Sequence, residues 1–62
     1  MKVNYVITVY SEEQEILFRA SGVRNDYSTP YYMLEKLGKR YGNCTVEYKD
    51  NTNGWKVEKD FE

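Results

Sequence analysis

Histidine is absent from this chain, and cysteine occurs once, at Cys44. Those two gaps remove much of the chemistry a short protein can carry. The usual zinc ligand sets need several Cys or His at fixed spacing. A Ser-His or Cys-His nucleophile pair needs the imidazole. A lone Cys fits a reducing compartment better than an oxidising one. Charge of one sign is lacking too: 9 Lys and Arg stand against 10 Asp and Glu, a net charge of -1. A dedicated nucleic-acid binder shows a basic excess, and a phosphate or DNA mimic would need a strong acidic one. No stretch approaches the roughly 20 apolar residues of a membrane span. Met1-Lys2-Val3-Asn4-Tyr5 lacks the apolar run of a signal peptide. The expected location is cytoplasmic, without membrane contact. The glycines Gly22, Gly38, Gly42 and Gly54 are scattered, so no phosphate-cradling loop is present.

What is present is aromatic: 16% of the residues, seven of them Tyr. That sets the chain apart from disordered sequences, which are poor in aromatics. Its 62 residues suffice for a single domain, 1–62. A domain this short buries only about 60% of the surface its unfolded chain exposes, so a marginal stability is expected. Tyr, Asn, Lys, Ile and Phe have A/T-rich codons, and their abundance hints at a low-GC bacterium, its phage or a mobile element.

Period-two alternation marks residues 2–10 as a half-buried strand. Val3, Tyr5, Ile7 and Val9 fall on one face, and Lys2, Asn4, Val6, Thr8 and Tyr10 on the other. Ser11-Glu12-Glu13-Gln14 reads as a turn into a second strand at 15–21, with Ile16, Phe18 and Ala20 inward and Glu15, Leu17 and Arg19 outward. Setting Val9 opposite Ile16, Ile7 opposite Phe18 and Tyr5 opposite Ala20 puts both inward sets on one side. Ser28 or Thr29 can cap a helix, with Pro30 at its first position. Leu34, Leu37 and Tyr41 recur at helical spacing. Glu35 and Lys39 are four apart and can pair, and Gly42 can end the helix in a left-handed conformation. Gly38 costs a helix roughly 1 kcal/mol relative to Ala, which points to a close approach of helix to sheet.

Two more strands follow, at 43–49 and 54–61, around Asp50-Asn51-Thr52-Asn53. A three-residue loop would flip the apolar face and is rejected. A two-residue Asn53-Gly54 turn keeps the faces but opposes Glu47 to Asp60. The preferred longer loop pairs Tyr48 with Trp55 and Val46 with Val57, and sets Glu47 opposite Lys56. The expected fold class is therefore α+β: a single ββαββ domain, a four-stranded sheet with one helix on one face. The expected core contains Tyr48, Trp55, Leu34, Leu37, Phe18 and Ile7.

The element order, and a last hairpin reading Val46-x-Tyr48-x-Asp50-x-Thr52-x-x-Trp55-x-Val57, resemble the β-grasp immunoglobulin-binding domains of streptococcal protein G. The resemblance implies a sheet whose first and last strands are parallel neighbours. The alternative is a purely antiparallel sheet of the same elements. The tryptophan that family uses at the antibody interface falls on Val46 here, so antibody binding is not implied, and fold alone would not license it.

No residue set points to catalysis, a cofactor or a metal, and an open one-sheet domain has little room for a deep pocket. Glu12, Glu13 and Glu15 read as a solvated turn. Cys44 reads as a small apolar residue, and Trp55 with Tyr48 as core rather than as a binding platform. On the helix-free face, Val6, Thr8, Tyr10 and Leu17 form a candidate protein contact, facing either a target protein or a second copy in a homodimer. Arg24, Tyr32, Lys36, Lys39 and Arg40 form a candidate nucleic-acid contact of the charge-and-stacking kind, which the balanced net charge and the intervening Glu35 disfavour. The expected function is a non-enzymatic protein-binding module, an accessory or inhibitor protein that acts by occupying a surface of its target. The alternative is a nucleic-acid-binding accessory protein.

Overall fold

The computed structural model describes residues 2–25 and 30–62. Its elements are β1 (Val3–Ser11), β2 (Ile16–Arg24), α1 (Tyr31–Tyr41), β3 (Cys44–Asp50) and β4 (Lys56–Phe61), in the expected ββαββ order. The strands form one sheet in the order β2-β1-β3-β4, and every neighbouring pair is antiparallel. This is the purely antiparallel alternative. The likeness to protein G domains stops at element order, because β1 lies beside β3 and β4 takes the far edge. β2 and β3 run in the same direction with β1 between them, so α1 is a crossover that carries the chain from an edge back over the sheet.

Pro30 precedes the helix, and its carbonyl accepts the N–H groups of Met33 and Leu34 at 3.0 and 3.2 Å. The proline thus sits one position earlier than expected, and its ring is buried. The expected caps Ser28 and Thr29 lie outside the described residues. At the other end Gly42 has φ 66° and donates its N–H to the Gly38 carbonyl at 2.8 Å. On the outer face Glu35 meets Lys39 at 3.9 Å and Lys59 of the edge strand at 3.2 Å. The hydrogen bond and charge of Lys59, then the charge of Lys39, hold the Glu35 carboxyl below its ordinary range.

Both hairpin registers sit two residues from the expected ones. β1 and β2 pair Val9 with Phe18, Ile7 with Ala20 and Tyr5 with Gly22. β3 and β4 pair Tyr48 with Val57 and Val46 with Lys59. An even slip leaves each side chain on its own face, so the apolar pattern tolerates both registers. In the second hairpin the observed register sets Glu47 opposite Glu58 rather than opposite Lys56. Lys56 still reaches Glu47 on the diagonal, at 3.8 Å. Asp50 makes the turn specific. Its buried carboxylate accepts the N–H groups of Thr52 and Asn53 at 2.8 and 2.9 Å, and the Asn53 side-chain amide at 2.8 Å. Burial pushes this carboxyl up, but the Asn53 and Thr52 hydrogen bonds and the charge of Arg24 outweigh it and hold the group below its ordinary value of 3.8.

A β-bulge changes the faces. The register of β1 with β2 shifts at Val9/Tyr10, so that Tyr10 pairs with Ile16 and Leu17 is the extra residue of a β-bulge. Ile16 thereby turns away from the core face it was expected to join.

The core lies between α1 and the sheet: Ile7, Val9, Leu34, Cys44, Val46 and Tyr48 are buried, with Val3 also enclosed. Of the expected core, Tyr48, Leu34 and Ile7 are fully buried, Trp55 and Leu37 are half-buried, and Phe18 is exposed. Tyr48 anchors an aromatic group, its ring 5.4 Å from that of Tyr5 and 5.7 Å from that of Trp55. Arg24 caps it, donating from Nη1 to the Tyr48 hydroxyl at 3.3 Å. Gly38 is buried against Phe61, and a Cβ there would lie 2.2 Å from the Phe61 ring. The close approach expected at Gly38 is therefore with β4.

Candidate functional site

The expected contact residues Val6, Thr8, Tyr10 and Leu17 do not form one accessible patch. Thr8 is only 4% exposed. Its row across the helix-free face reads Arg19, Thr8, Glu47, Glu58, so two longer side chains flank it. Val6 and Tyr10 are half-buried. The next row, Ser21, Val6, Lys49, Lys56, is also charged toward β4. The β3–β4 half of this face is therefore a solvated checkerboard of Glu and Lys, and its apolar character is confined to β1 and β2.

The exposed large apolar side chains of the described residues fall on α1, as Tyr31, Tyr32 and Tyr41, and on β2. Ile16 is 55% exposed, Leu17 47%, Phe18 37% and Val23 57%. Only Leu17 of these was expected. Three causes combine. β2 is an edge strand, and among the described residues nothing flanks it laterally within the sheet. The bulge at Leu17 turns Ile16 outward. The helix packs over β3 and β4, and among the described residues the helix side of β2 meets the Tyr41 ring, 6.2 Å from Phe18, and the Tyr5 ring beside Gly22. The run Ile16-Leu17-Phe18 carried a signal of this, because three consecutive apolar residues cannot all face inward under strand alternation.

The bonding of β1 sets which backbone groups of β2 point out of the sheet. Asn4 turns its N–H and C=O toward the β3 side, bonding Thr52 Oγ1 and the Asn51 N–H, both at 2.9 Å. In an antiparallel ladder alternate residues bond to alternate sides. Tyr5 and Ile7 therefore bond to Gly22 and Ala20, their partners on β2. It follows that Arg19, Ser21 and Val23 direct their N–H and C=O groups away from the sheet. The opposite edge is built otherwise. Lys56, Glu58, Lys59 and Asp60 occupy four of its six positions, the charged guard that blunts an edge against pairing. β2 carries Arg19 and the terminal Arg24, and the latter is engaged with Tyr48.

The nucleic-acid candidates are partly brought together. Tyr32, Lys36 and Arg40, with Met33 and Leu37, line a shallow depression of about 310 Å³ on α1. Lys39 is drawn to Glu35 instead, and Arg24 belongs to the sheet, its guanidinium 5.7 Å from the centre of the Tyr48 ring. At the far end of the sheet a larger depression of about 600 Å³ is lined by Glu12, Asp60 and Glu62 among others. Among the described residues no group of three His, Cys, Asp or Glu is placed to hold a metal ion. The acidic turn is held by Ser11, whose Oγ accepts the N–H groups of Glu13 and Glu15 at 3.2 and 3.1 Å. Cys44 is buried, with Sγ 3.9 Å from the Gly38 carbonyl oxygen, and burial pushes its thiol up, away from a reactive thiolate. Among the described residues no helix is long and apolar enough to cross a membrane.

No protein-family model, curated protein or solved structure matches this chain.

Proposed function

We propose that the chain is a small, non-enzymatic protein-binding module whose contact surface is the β2 edge with the apolar strip beside it. The observation that supports this is the grouping of Ile16, Leu17, Phe18 and Val23, all substantially exposed, on one edge strand. Scattered exposed apolar residues are ordinary; four on one strand with an open ladder form a surface suited to strand addition. In that mode main-chain hydrogen bonds supply affinity and side-chain contacts supply specificity. The codon character of the composition suits an accessory or inhibitor protein of a low-GC bacterium, phage or mobile element, acting in the cytoplasm by occupying a target's surface. The basic side of α1 is a weaker basis for function, because Glu35 draws Lys39 out of the group and the chain has no basic excess.

The reading is tested by pull-down from the native host with wild type, Leu17→Lys and Tyr10→Ala. Leu17 is exposed, so its substitution should change stability by no more than about 0.5 kcal/mol. Leu17→Lys should lose the captured partner while its melting temperature stays within a few degrees of wild type. Tyr10, half-buried beside the bulge, should weaken capture less. Equal capture by all three proteins would remove β2 as the contact surface.

A further inference from the structure

We infer that the occupant of the β2 edge is a second copy of this chain, joined edge to edge with β2 antiparallel to β2 about a two-fold axis at Ser21. The inference rests on the reading of β2 as the contact edge and names its partner.

Three features of the strand favour self-pairing. First, the outward backbone groups of Arg19, Ser21 and Val23 are symmetric about Ser21. An antiparallel partner related by a two-fold there sets Arg19 opposite Val23 and Ser21 opposite itself, and every outward N–H of the three meets an outward C=O. A symmetric interface requires this self-complementarity. Second, the side chains agree with that register. On the helix-free face the Arg19 stem lies against Val23. On the helix face Ala20 meets Gly22, beside which the Tyr5 ring of the same copy lies. Phe18 lies opposite Arg24, whose guanidinium stays with Tyr48. No like charges are opposed, whereas an axis at Arg19 would set two guanidinium groups against each other. Third, the other edge is guarded by four charges and β2 between Phe18 and Arg24 carries no Pro and no bulge. The product would be a continuous eight-stranded sheet with the two helices on one side and charged β4 strands at both ends.

A single strand pair covers less than the ~800 Å² per partner of a standard interface. The dimer should therefore be weak, with a dissociation constant of about 10⁻⁶–10⁻⁴ M. Sedimentation velocity from roughly 5 μM to 500 μM spans that range. Wild type should pass from monomer to dimer, and at the upper end the amides of Arg19, Ser21 and Val23 should gain protection from hydrogen exchange. Ser21→Pro removes an outward N–H that the fold itself does not use, and edge strands tolerate such a proline. Val23→Lys places a second cation opposite Arg19. Each should weaken association at least tenfold with the far-UV spectrum unchanged; if Ser21→Pro unfolds, Val23→Lys decides alone, since Val23 is 57% exposed. A wild type that stays monomeric throughout overturns the inference, as does a dimer unaffected by the folded variants. A monomer that still captures a host protein through Leu17 would retain the binding-module reading and refute self-pairing. A monomer with no Leu17-dependent partner would refute both.

Discussion

Tyr48→Ala should leave the chain largely unfolded at 25 °C. Tyr48 is fully buried at the centre of the sheet, stacked on Tyr5 and tilted against Trp55. Truncating a buried aromatic costs about 3–5 kcal/mol, through lost transfer energy and the cavity left behind. The stability expected of a domain this size is roughly 3–9 kcal/mol, and so short a chain is expected near the lower end, where the mutation removes most or all of it. Arg24 would also lose the hydroxyl it donates to. Tyr48→Phe keeps the ring and loses only that bond, at a cost of about 1 kcal/mol. Denaturant titration of the two variants separates the contributions. An alanine variant as stable as the phenylalanine one would show that the ring is not enclosed.

Gly38→Ala should destabilise the protein although it improves helix propensity. In an exposed helix the change would gain about 1 kcal/mol. Here the new methyl would lie 2.2 Å from the Phe61 ring, closer than real contacts allow. Either the helix lifts from β4 or the ring leaves its place beneath it, where Lys59 sits 5.2 Å from the ring centre. Overpacking of this kind costs about 1–3 kcal/mol, and the contact at Gly38 is tight enough to put it at the upper end, so the net effect should be a loss of up to about 2 kcal/mol after the gain in helix propensity. Phe61→Leu should rescue Gly38→Ala more than additively, because the two positions share one space. Thermal melts of the four-protein cycle give the coupling. A stabilised Gly38→Ala would mean that helix and edge strand stand apart.

The elements and most of their faces were legible in the sequence, because strand alternation, the helical recurrence of Leu34 and Leu37, and Gly42 are local signals. The registers were not. In both hairpins the observed pairing differs from the expected one by an even number of residues, and the apolar pattern is blind to an even slip. A directly opposed pair favours the loop that sets Glu47 against Lys56, whereas the structure satisfies Glu47 on the diagonal. Strand order was likewise hidden. A sheet with β4 beside β1 and a sheet with β3 beside β1 bury the same faces, so nothing local separates them. The candidate surface inherited that gap. Whether Phe18 and Val23 are covered depends on β2 being an edge, and whether Ile16 faces in depends on the bulge at Leu17. Alternation assigns Thr8 a side but not its burial, and the longer Arg19 and Glu47 flank it on the neighbouring strands.

The central claim is that β2 is an open edge whose odd-numbered backbone is free to pair. Amide hydrogen exchange of the dilute protein, resolved residue by residue, tests it most directly. The amides of Arg19, Ser21 and Val23 should exchange fast, and those of Ala20, Gly22 and Arg24 slowly, since only the latter bond to β1. Uniform protection along β2 at high dilution, or slow exchange at the odd positions, would contradict the account.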